Sequence, residues 1–219
     1  MISTRRELSL VERTVMKAIR ALTLASEGYF AVFDEEMIRH RGLGEYLKSI
    51  AFMTKAWTRL AKQFGEENAH MLAFYSSLWN GCVYCGYGHL YAHNLGYFQR
   101  TGQLFPIAEQ DIEQFLQSND DDFVAFARSR LAGPQYAEKL QLFERLYEAQ
   151  LQQPPTGHEQ ENDLLRLSIS LYTYVNECSI VAEERGPPMG KVAKDKALID
   201  RYQQARAAGN AQPSSGPMA

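Results

Sequence analysis

The stretch NGCVYCGYGHLYAH, residues 80–93, places Cys82 and Cys85 three apart, with His89 and His93 four and eight residues after the second cysteine. At 100° per residue on a helix, these four side chains fall within about 80° of arc and line one stripe. Cα atoms three apart on a helix are about 5 Å from each other, which suits a reversible disulfide between the two cysteines. With Asn80 as N-cap, Cys82 lies in the first turn and Cys85 just beyond it. Unpaired N–H groups and the positive end of the helix dipole there favour thiolate over thiol. His89, one turn after Cys85, is placed to accept its proton or to pair with the thiolate near neutral pH. His93 reads as a solvent-facing or core histidine.

Two other readings fit the same residues. Four ligands spread along one straight helix would span about 16 Å, too far for one zinc ion. Cys82, Cys85 and His89 could supply three ligands, but no second CxxC or HxxxH pair supplies a fourth, so no metal is expected. The thiols could also simply pack as small apolar residues. Cys178, inside a long apolar segment, reads as core. Tyr84, Tyr87, Tyr91, Phe74, Tyr75 and Trp79 read as core and pocket wall.

The elements that must position this stripe are all helical. Apolar residues recur at three and four from Leu8 through Leu22, with Thr4 and Glu7 as a capping box. Further helices are predicted over about Glu27–His40, Glu45–Lys62 and Glu66–Trp79, separated by Gly42, Gly44 and Gly65. The helix with the CxxC then runs to about Arg100. A short helix follows Pro106, two more cover DDFVAFARSRL and PQYAEKLQLFERLYEAQL, and a long one spans about Asp163–Glu184. Gly186-Pro187-Pro188 stops it. The predicted organisation is a helical domain over 1–190, a polar helix over 191–207 and a disordered tail over 208–219.

The bulk numbers exclude several classes. A net charge of −3, with no basic run interleaved with aromatics, gives no expectation of nucleic acid. No apolar stretch approaches the roughly 20 residues of a membrane span. The N-terminus mixes Arg5, Arg6 and Arg13 with Glu7 and Glu12, unlike an export signal, so a reducing cytoplasmic location is expected. Three cysteines, two of them in one CxxC, point to redox or metal chemistry rather than a disulfide scaffold. No dinucleotide fingerprint follows a strand, so no bound flavin or nicotinamide is expected.

LWNGCVYCGYGH resembles the core motif of the alkylhydroperoxidase D (AhpD)-like, carboxymuconolactone decarboxylase-related superfamily, CxxC-xxx-H after a helix. The resemblance is specific over Ala69–His93 and looser through LYTYVNECSIVAEERG. It implies an all-α, AhpD-like helical bundle with the CxxC at the start of a central helix. It also implies homo-oligomers (trimer, hexamer or dimer) and dithiol peroxidase or disulfide reductase activity. Cys85 matches the thiol that reacts with peroxide, Cys82 the partner that closes the disulfide, and His89 the histidine of the proton relay. Where the family has a glutamate twelve residues before the first cysteine, this chain has His70, with Glu66 one turn upstream. The expected function is a thiol oxidoreductase reducing a hydroperoxide or a disulfide substrate, with electrons from a separate dithiol protein. The alternative is a non-catalytic helical oligomer or binding protein of the same fold with a degraded relay.

Overall fold

A computed structural model describes residues 6–29, 31, 34–115, 119–154, 156–179 and 188–211, with the side chains of 174–179 and 210–211 outside that description. The fold is all-α, with no strand among the described residues. The first helix, α1, is Leu10–Glu27. Thr4 lies outside the described residues, and the capping box falls instead on Ser9 and Glu12. The Glu12 N–H donates to Ser9 Oγ at 3.3 Å and the Ser9 N–H to Glu12 Oε2 at 2.8 Å. Arg6 pairs with Glu12 and reaches the Ile38 carbonyl at 2.7 Å, tying this start to the next helix. Gly28, in the left-handed region, ends α1 one residue after the point, about Glu27, where the sequence predicts a second helix to begin.

Helix α2 (Asp34–Phe64) spans the two helices predicted around Gly42, and the break survives as a kink, with Gly42 at φ +83 and ψ 161. Helix α3 (Glu66–Trp79) has the predicted bounds and is buried continuously from Ala69 to Ser77. A tight turn leads into α4 (Val83–Thr101). This α3–α4 hairpin is the centre of the molecule, with α2 and α8 (Glu159–Ser179) laid against α3. The helix expected after Pro106 shrinks to α5 (Asp111–Phe115), because Asp111 Oδ2 takes the Ala108 N–H at 2.7 Å and opens the helix late. Helices α6 (Asp120–Arg130) and α7 (Ala137–Gln150) follow, the latter packed on α8.

Apolar side chains gather in two main cores. One joins Phe74 and Tyr75 of α3 to Phe123, Phe143 and Leu146. The other holds both CxxC cysteines among Met37, Ile38, Tyr46, Tyr84, Leu171, Tyr172 and Met189. The predicted polar helix at the C-terminus is a 3-10 turn, Lys191–Lys194, followed by α9 (Lys196–Ala211). It continues four residues into the stretch expected to be a tail, and residues 212–219 lie outside the described part. Leu198 and Tyr202 of α9 pack on Leu95, so this helix is docked on α4 rather than hanging from the domain.

A candidate dithiol site between α3, α4 and α8

The turn before α4 differs from the expected one. Asn80 caps the end of α3: its Nδ2 donates to the Ser76 carbonyl at 2.8 Å and its Oδ1 accepts from Thr173 Oγ1 at 3.0 Å. Gly81 then turns through φ +74, a conformation that suits glycine. Cys82, not Asn80, is the N-cap of α4, with extended backbone and its Sγ accepting the Cys85 N–H at 3.3 Å. Cys82 is therefore just outside the helix rather than in its first turn. That N–H supports negative charge on the Cys82 sulfur, as the helix end does for any capping anion. Both cysteines are reduced, and both are 1 % exposed.

His89 lies one turn beyond Cys85 and is buried. Its Nδ1 meets His70 Nδ1 at 2.9 Å, and its Nε2 meets the Tyr172 hydroxyl at 2.7 Å. Trp57 of α2 stacks on His89 with ring centroids 5.6 Å apart and lies 4.6 Å from His70. The structure thus brings His70, at the position where the resemblance leads one to expect a glutamate, into direct contact with His89. Burial pushes His89 down to about 3, and burial together with His89 and His93 holds His70 well below the usual histidine range. Both rings are neutral at pH 7. The thiolate–imidazolium pair expected from spacing alone is disfavoured here, because the site offers a cation nothing to replace its lost hydration.

Glu66 is exposed, at the outer edge of this chain of contacts. Gly190, at φ +80, marks the boundary. A Cβ there would lie 2.9 Å from His70 Nε2 and 3.6 Å from Glu66 Oε1. His70 Nε2 itself is buried and makes no hydrogen bond among the described residues. The Met189 N–H donates to the Gly88 carbonyl at 3.2 Å, holding this strand of chain over the histidine. His93 is a core histidine: it is fully buried, and its Nδ1 contacts the Glu67 carbonyl at 2.9 Å.

Four residues of the site carry no mark in the sequence. Tyr172 and Trp57 reach the histidines from α8 and α2. Tyr29 is close enough to Tyr84, Asp34 and Cys85 for their charges to raise the cost of ionising its phenol, on top of burial. Asp34 is pushed up to about 7 by burial, with the Tyr46 hydroxyl partly offsetting it. The only available signal was the aromatic density around the CxxC and in LYTYVNEC. Phe74 and Tyr75 lie in the other core, as expected. The Cys178 side chain lies outside the described residues. Among the described residues no group of three or more His, Cys, Asp or Glu side chains is arranged to hold a metal ion, and no helix is long and apolar enough to cross a membrane. Comparisons with protein-family models, with curated proteins and with solved structures find no match to this chain.

Proposed function

We propose that the protein is a dithiol oxidoreductase that reduces a hydroperoxide or a small disulfide at Cys85 and Cys82. The observation that carries this reading is the junction of two reduced, buried cysteines at a helix start with a buried chain of proton-transfer groups beginning at His89. In the peroxide reaction, the Cys85 thiolate attacks the distal peroxide oxygen, the O–O bond breaks and the alkoxide takes a proton to leave as alcohol. Cys85 is now a sulfenic acid. The Cys82 thiolate displaces hydroxide, which leaves as water, and the Cys82–Cys85 disulfide forms. Two thiol protons and two thiol electrons are consumed in all.

The N–H held by Cys82 Sγ suits this second step, since it keeps an anion ready on the resolving sulfur. The resemblance to AhpD-like proteins supports the same division of labour, and adds homo-oligomeric assembly and a separate dithiol reductant to the reading. With both cysteines so deeply buried, a small oxidant reaches them more easily than the disulfide of a folded protein does.

The test counts thiols and mass. The reduced protein, given one equivalent of tert-butyl hydroperoxide, is expected to lose two titratable thiols and about 2 Da of intact mass. Cys82→Ser is expected to leave a sulfenic acid on Cys85 that a dimedone probe traps. Unchanged thiols sink the proposal, and a sulfenic acid trapped on Cys82 in Cys85→Ser inverts the roles of the two sulfurs.

A further inference from the structure

The ring nitrogens of His89 are both engaged, Nδ1 by His70 at 2.9 Å and Nε2 by the Tyr172 hydroxyl at 2.7 Å. An imidazole has two nitrogens and no third site for a thiol. His89 therefore does not take a proton from Cys85 directly, although spacing along α4 puts it one turn away. The group beyond His89 Nε2 is a phenol. Tyr172 is buried in the same core as the two cysteines, and Cys85 first, then Tyr29 and Cys82, add to the effect of burial in opposing its ionisation. From these contacts we propose that Tyr172 carries the proton between the dithiol and the histidine pair, and that Tyr172, His89 and His70 form one neutral proton wire. The roles within it go beyond the oxidoreductase reading and rest on it for their use, but not for their existence.

The wire has two arrangements, and both satisfy every contact. In the first, the Tyr172 O–H donates to His89 Nε2, the His89 Nδ1–H donates to His70 Nδ1, and His70 carries its proton on Nε2. In the second, the His70 Nδ1–H donates to His89 Nδ1, the His89 Nε2–H donates to the phenol oxygen, and the phenol O–H points on toward the thiols. Passing from the first to the second moves one proton at each link. The thiol proton goes to Tyr172 oxygen, the phenol proton to His89 Nε2, the His89 Nδ1 proton to His70 Nδ1, and the His70 Nε2 proton leaves. What remains is a thiolate facing a phenol donor, with all three relay groups neutral. A shared shift of this kind suits a dry site where neither imidazolium nor phenolate is tolerated.

The outer end fits the same scheme. His70 Nε2 is a buried atom without a hydrogen-bond partner among the described residues, and it lies against Gly190, where a Cβ would come within 2.9 Å of it. The Glu66 carboxylate lies against the same glycine, 3.6 Å from where that Cβ would stand, on an exposed residue. A proton leaving His70 has a carboxylate to receive it, and neither Glu66 nor the family's missing glutamate needs to touch His89.

Two measurements on the full chain test the wire. Imidazole nitrogen NMR of reduced, histidine-labelled protein at pH 7 is expected to show His89 and His70 neutral. Tyr172→Phe is expected to change the tautomer shifts of both rings, including His70, which Tyr172 does not touch. Stopped-flow oxidation with hydrogen peroxide and with tert-butyl hydroperoxide is expected to slow at least about tenfold in Tyr172→Phe. The double variant Tyr172→Phe/His89→Phe should be no slower than the slower single variant, as members of one chain require. Installing 3-fluorotyrosine at 172 restores a hydroxyl of lower pKa, and should recover the rate with its pH midpoint moved down. That rescue also answers whether Tyr172→Phe merely misfolds. A Tyr172→Phe protein with the wild-type rate and pH profile overturns the role of Tyr172. An imidazolium on either ring at pH 7, or no change at His70, overturns the wire. If wild-type thiols resist both peroxides, the oxidoreductase reading fails, and the NMR result alone then decides whether the wire exists.

Discussion

His89 and His93 stand one turn apart on α4, both buried, and their partners hold them in opposite ways. His93 faces the Glu67 carbonyl, which only accepts, so its Nδ1 must carry the proton and the ring has one tautomer. Around it the groups are fixed by charge. The Glu67 carboxylate, which burial alone would raise, is held at about 2 by Arg100 and Lys139, with Arg100 contacts of 2.9 and 3.0 Å and a short contact to Lys139. His89 instead has a phenol and a second imidazole as partners, each able to give or to take a proton. Identical side chains on one helix become a structural pin and a switchable link, and the partner decides which.

What the two rings share is intolerance of a proton, and this gives the largest expected effect. Burial holds His89 and His93 at about 3 and His70 well below its usual value, against roughly 6.5 in the unfolded chain. Between these values the unfolded state binds more protons, so stability rises with pH across the window. It is fully present above about 6.5 and drains away as pH falls toward 3. Denaturant midpoints taken from pH 7 to 4 should fall by an amount corresponding to several kcal/mol, on the order of 1.4 kcal/mol for each unit of each shift. Asp34, raised to about 7 by burial, works the other way over the same range and offsets part of the fall. A profile that rises as pH drops would mean the rings are wetter than the structure has them.

Single substitutions should separate the two histidines. His89→Phe is expected to slow disulfide formation by about a hundredfold and to cost more stability than His93→Phe, because it leaves both His70 Nδ1 and the Tyr172 hydroxyl without their partner. His93→Phe removes one partly buried hydrogen bond, to a Glu67 carbonyl that stays within α3, at about 0.5–1.5 kcal/mol, with the oxidation rate nearly unchanged. Equal losses of rate in both variants would erase the distinction between pin and link. The smallest effects lie at the wire's outer end. His70→Ala should slow disulfide formation by about tenfold, a barrier change of about 1.4 kcal/mol, and Glu66→Gln by less, since solvent replaces an exposed carboxylate more readily than a buried ring. Glu66→Gln matching or exceeding His70→Ala would return the relay to a carboxylate.

Much of this was legible in residue order. The helical periodicity located α3 to the residue, and the CxxC with His89 and the odd histidine at 70 pointed to the site's centre. Local rules failed where two local signals competed. Asn80 was a good cap for either of two helices, and the αL turn at Gly81 gave it to α3, which left Cys82 to cap α4. Spacing placed His89 beside Cys85, but could not say that Tyr172, 83 residues further on, and His70 would occupy both of its nitrogens. Trp57, Tyr29 and Asp34 were equally silent, because their part depends on which helix faces which. The kink at Gly42 was visible as a break, yet only packing decides whether a glycine ends a helix or bends it.

The capping sulfur ties two balances together. A thiolate at Cys82 accepts the Cys85 N–H in the first turn of α4; a sulfur shared in a disulfide is a far poorer acceptor, so oxidation strips the helix of its cap. By reciprocity, every increment by which that cap steadies the reduced fold is also a force against closing the bond, raising the reduction potential of the pair. The exchange rate of the Cys85 amide hydrogen is thus a local gauge of redox state, slow while the dithiol is open and faster once it has closed.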